Sequence, residues 1–99
     1  MSKAQKKAEI AEFRDALQEH LKVNNEEYVV ASHELRLYDR GETIYGQTKL
    51  ENLWAVRLGA QEMIFHIREN LKEVKSVDNS LHSVLEEITH DLELKFPGT

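Results

Sequence analysis

Cysteine is absent from the 99 residues. That excludes disulfides, thiolate nucleophiles and cysteine-ligated zinc. Proline occurs once, at Pro97, and the glycines are Gly41, Gly46, Gly59 and Gly98. A chain with no interior proline and few β-branched clusters favours helices. Apolar runs reach only a few residues, too short to cross a bilayer. The opening MSKAQKKAEI has lysines but no apolar stretch behind them, unlike a signal peptide. A cytoplasmic protein without membrane contact is expected.

Basic charge is outnumbered by acidic. Lys and Arg total 13 against 18 Asp and Glu, for a net charge of −5. Lys3, Lys6 and Lys7 contribute +3 of that total, which leaves −8 on the other 92 residues. An acidic body repels phosphate backbones, so direct nucleic-acid binding is not expected, whereas a basic protein partner is compatible. The lysines at residues 1–7 read as a solvated, frayed start.

What is present is helical periodicity. Ile10, Phe13, Leu17 and Leu21 repeat at spacings of three and four over residues 4–22, the mark of one helix face. Asn24 and Asn25 break that pattern. Residues 26–39 fit two periods. As a helix, Tyr28, Ala31, Leu35 and Tyr38 share a side. As a strand, Val29, Ala31, His33, Leu35 and Leu37 alternate, and a β-hairpin over 28–48 would turn at Asp39-Arg-Gly-Glu42. The helix is preferred because Asn25-Glu-Glu is a good N-terminal signal. Residues 40–48 read as a loop in which Ile44 and Tyr45 lid the end of the bundle. A fourth helix follows Ser76-Val-Asp-Asn-Ser80 and ends before a 97–99 tail. Its buried stripe is Leu81, Leu85, Ile88, Leu92 and Phe96, joined by Val84.

The third segment, about 48–74, carries more apolar residues than one stripe needs. Positions 50, 53, 57, 60, 64, 67, 71 and 74 form a seam with alternating spacings of three and four, interrupted only by Arg57. Trp54, Leu58 and Phe65 fall outside it, at about 40–80° on a wheel that starts from Leu50. A surface helix needs an apolar face only about 100° wide. A second stripe with a tryptophan and a phenylalanine suits an interface, where such residues are enriched. Arg57 and Tyr45 are expected at its rim. Arg57, being on the seam, either snorkels at a flank or pairs with an acid across the interface and fixes register.

Catalytic constellations are sparse. His82, Glu86 and His90 recur at i, i+4 and i+8, but the wheel turns them to solvent. Glu87 and His90 make one E-x-x-H pair where a di-iron bundle needs two. There is no glycine-rich phosphate loop and no serine beside a plausible base, and no metal or cofactor is expected. Arg14-Asp-Ala-Leu-Gln-Glu-His20 resembles the R-x4–6-H motif of HEPN-type ribonucleases, all-helical domains in which arginine and histidine act on RNA. The match covers seven residues and lies in the first helix, whereas the family carries the motif late in the domain. It implies, as the alternative function, a ribonuclease or RNA-related toxin–antitoxin component that uses Arg14 and His20.

The expectation is thus a single all-α domain over 1–99, a four-helix bundle with a long central third helix. Its expected role is that of a non-enzymatic adaptor, regulator or inhibitor. It acts through protein–protein contact and forms a homodimer through Trp54, Leu58 and Phe65.

Overall fold

The computed structural model describes residues 2–97. These hold four helices, α1 (Lys3–Val23), α2 (Asn25–Asp39), α3 (Gln47–Val77) and α4 (Asn79–Lys95). The described residues contain no strand, so the hairpin over 28–48 is overturned. Two features decide against it. Glu26 and Glu27 lie in the first turn of α2, where acids suit the helix dipole. The expected hairpin turn is instead a helix end. Gly41, at φ +73°, donates to Tyr38 O at 3.0 Å, and Glu42 donates to Leu37 O at 3.0 Å. This is a Schellman stop, and it needs a glycine at its left-handed position.

The other boundaries follow local chemistry. Ser2 Oγ accepts from Gln5 N at 3.2 Å and starts α1. The lysines expected in a frayed start therefore belong to the first turns of α1, where Lys6 pairs with Glu73 at 2.6 Å and Lys7 with Asp78 at 2.9 Å. Asn24 alone separates α1 from α2, with φ −101° rather than a left-handed value. Asp78 Oδ1 accepts from Ser80 N at 2.8 Å and Leu81 N at 3.1 Å, capping α4. The Ser80 hydroxyl and Lys7, with these backbone bonds, hold the Asp78 carboxyl well below the usual carboxylate range.

The 31 residues of α3 make a rod of about 46 Å at 1.5 Å per residue, close to the 52 Å long dimension of the molecule. The other three helices all pack on α3. Its seam buries Leu53, Ala60, Ile64, Ile67 and Val74. The core forms two clusters along this rod. Ile10, Leu17, Ile67, Val74, Leu81 and Leu85 join α1, α3 and α4. Tyr28, Ala31, Leu35, Leu53, Ala60 and Phe96 join α2, α3 and the end of α4. Leu21 packs against both.

Two expected core positions lie outside. Phe13 is 47% exposed, at the mouth of a cleft of ≈ 220 Å³ lined also by Ile10, Ile67 and Val74. Ile44 is 93% exposed and lids nothing. Both correct the sequence expectation. For Phe13, periodicity fixes which face of α1 the residue occupies, but not whether a neighbour covers it; Ile44 lies in the loop between α2 and α3, where no periodicity applies.

Candidate interaction surface

The second stripe of α3 remains uncovered. Trp54 is 40% exposed, Leu58 57% and Phe65 58%. Their spacing places them on one line of the helix, beside the buried seam. The three therefore form a ridge on the outer face of α3.

An aromatic group closes one end of this ridge. Trp54 meets Tyr38 of α2 edge-on at 6.3 Å, and Tyr38 stacks with Tyr45 at 6.3 Å. Lys49 Nζ sits 4.4 Å over the Tyr45 ring while it pairs with Glu34 at 3.2 Å. Tyr45 thus lies beyond Tyr38, whose ring connects it to Trp54. Sequence reasoning missed Tyr38, because its helical spacing aligns it with the buried side of α2. Only the return of the chain after Gly41 shows that this ring ends beside the ridge.

Along one edge the ridge is bordered by polar contacts within the chain. Gln61 Nε2 donates to Pro97 O at 3.3 Å, and Arg68 pairs with Glu93 of α4. Arg57 pairs with Asp39 of α2 at 3.5 Å. Of the two alternatives for Arg57, a flank position or an acid across an interface, the described residues supply an acid from within the same chain. This pair is partly exposed and contributes at most about 1 kcal/mol.

The remaining candidates occupy other places. Arg14 binds its neighbour Asp15 at 3.0 Å. His20 Nε2 lies 3.0 Å from the Tyr28 hydroxyl, and His20 Nδ1 lies 3.3 Å from Asn24 Nδ2. Burial pushes the Tyr28 phenol above its ordinary pKa, and Glu27 adds to the effect. Six residues along a helix put Arg14 and His20 about 120° and 9 Å apart. They serve separate contacts, and His20 braces the α1–α2 junction. His82 pairs with Glu86 at 3.5 Å, and His90 is exposed. Among the described residues no group of three or more potential ligands gathers around one point.

No helix among the described residues is long and apolar enough to cross a membrane. No protein-family model matches the chain, and no curated protein or solved structure is significantly similar to it.

Proposed function

We propose that this chain is a non-enzymatic, cytoplasmic interaction protein that docks a protein partner on the outer face of α3. The observation that carries the reading is the ridge itself, three large apolar side chains held in line and half out of water on a rod buried elsewhere. Covering the exposed parts would contribute on the order of 1–2.5 kcal/mol per side chain, before the costs of association. The adjoining Tyr38 and Tyr45 extend the surface, and Arg57 stands at its rim.

Two occupants suit such a ridge. One is a second copy of the chain, as the sequence suggests. The other is a helix of a different protein. Leu58→Ala/Phe65→Ala removes most of the ridge and keeps Trp54, the single tryptophan, as a fluorescent reporter. The test measures association of wild type and this variant in two ways. Light scattering follows self-association, and Trp54 emission follows an added amphipathic helix. The expected result is association by wild type that the folded variant lacks. A monomer of 11.5 kDa whose Trp54 responds to no added helix would end the reading.

A further inference from the structure

The two borders of the ridge differ in charge. On the side toward α2 and α4 the cations are already neutralised, Arg57 by Asp39 of α2 and Arg68 by Glu93 of α4. On the opposite side run Glu51, Glu62 and Glu69, all exposed. They fall at about 100–120° on the wheel, next to the ridge at about 40–80°. Among the described residues Glu62 and Glu69 have no ion-pair partner, and Glu51 accepts only from the neutral Gln47 amide, at 3.1 Å. Lys72, two turns beyond Phe65, falls at about 40° on the same wheel, so it continues the line of the ridge and not the acidic row. The surface therefore offers an apolar ridge beside a row of uncompensated carboxylates.

We infer that the occupant is an amphipathic helix of another protein, with apolar residues on the ridge and a row of Lys or Arg against Glu51, Glu62 and Glu69. This rests on the ridge being an interface. The span from Glu51 to Glu69 is about 27 Å, the length of an ~18-residue helix. Such docking reads an apolar stripe with anchors at helical spacing, and flanking charges set partner choice. A second copy fits less well, since it brings the same acidic row and the same occupied arginines. The three ridge residues expose only about 300 Å² together, against the roughly 800 Å² per partner of a standard interface. A single helix needs less.

The probe is an 18-residue helical peptide with leucine on one face and lysine on the other, and its control carries glutamate in place of lysine. Trp54 emission is the readout. The lysine peptide should bind saturably and shift the emission to the blue. The glutamate peptide should bind about tenfold or more weakly, and raising NaCl from about 50 to 500 mM should weaken the lysine complex about tenfold. Glu51→Lys/Glu62→Lys/Glu69→Lys should reverse the preference. The triple Gln variant, a milder change, should abolish the preference with the helical circular-dichroism spectrum retained. Equal binding of both peptides would overturn the charge pairing and leave the ridge as an interface. A dimer of about twice 11.5 kDa, split by Leu58→Ala/Phe65→Ala, would make a second copy the occupant and overturn the inference alone. A monomer whose Trp54 ignores both peptides would overturn this inference and the proposed function together.

Discussion

The same substitution at two phenylalanines separates core from surface. Phe96 is 1% exposed, completes the cluster of Tyr28, Leu35 and Leu53, and meets Tyr28 edge-on at 6.0 Å. Replacing a fully buried phenylalanine with alanine costs about 3–5 kcal/mol, because transfer energy is lost and a cavity remains. Phe65 is 58% exposed, so folding withdraws only the other 42% from water. Scaling by that fraction gives roughly 1.5 kcal/mol, and water fills the space instead of leaving a cavity. Alanine is also the better helix former, by about 0.5 kcal/mol, so the net cost of Phe65→Ala is about 1 kcal/mol. A domain this small loses about 4–8 °C of Tm per kcal/mol. Phe96→Ala should therefore lower Tm by at least about 12 °C, and Phe65→Ala by less than about 8 °C. Thermal melts followed by circular dichroism at low micromolar concentration provide the comparison, since association would raise the apparent stability of wild type. Equal losses at the two sites would mean that Phe65 is core, and the ridge would lose its standing as a surface.

Three further outcomes follow from local geometry. The folded-state pKa of Asp78 lies below its unfolded value, so its contribution is fully present above about pH 4 and is lost as pH falls further. Urea midpoints should therefore fall between about pH 4 and 2.5, and Asp78→Asn, which keeps the cap acceptor without the charge, should flatten that decline. Gly59 sits inside α3 with nothing within 4 Å of where a Cβ would stand, so Gly59→Ala should stabilise the chain by about 0.5–1 kcal/mol in a urea melt. Tyr28→Phe removes the hydroxyl that meets His20 at 3.0 Å and should cost about 1 kcal/mol or less, because the half-open imidazole can turn to water; a loss several times larger would contradict that account.

The helices were legible because their signals are local. Spacings of three and four marked Ile10, Leu17 and Leu21, and the α3 seam was readable from Leu50 to Val74. The α4 cap was visible in its serine–aspartate cluster. Residues 26–39 were ambiguous because both periods accommodate Ala31 and Leu35. The deciding glycine, Gly41, serves a helix stop or a hairpin turn equally well in sequence. The ridge was also legible, as apolar residues left over once the seam was filled. Its surroundings were not. The Arg57–Asp39 pair, the placing of Tyr38 against Trp54 and the exposure of Phe13 and Ile44 all depend on where one helix ends relative to another. No periodicity encodes those distances. The acidic border of the ridge lay in the sequence, but its meaning required knowing that Arg57 and Arg68 were already engaged.

Light scattering on the chain mixed with the lysine-faced helix tests the central claim most directly. The account predicts the mass of one 11.5 kDa chain plus one peptide for wild type, and an unchanged 11.5 kDa for Leu58→Ala/Phe65→Ala. A wild type that stays at 11.5 kDa, or a variant that takes up the peptide as well as wild type does, would contradict it.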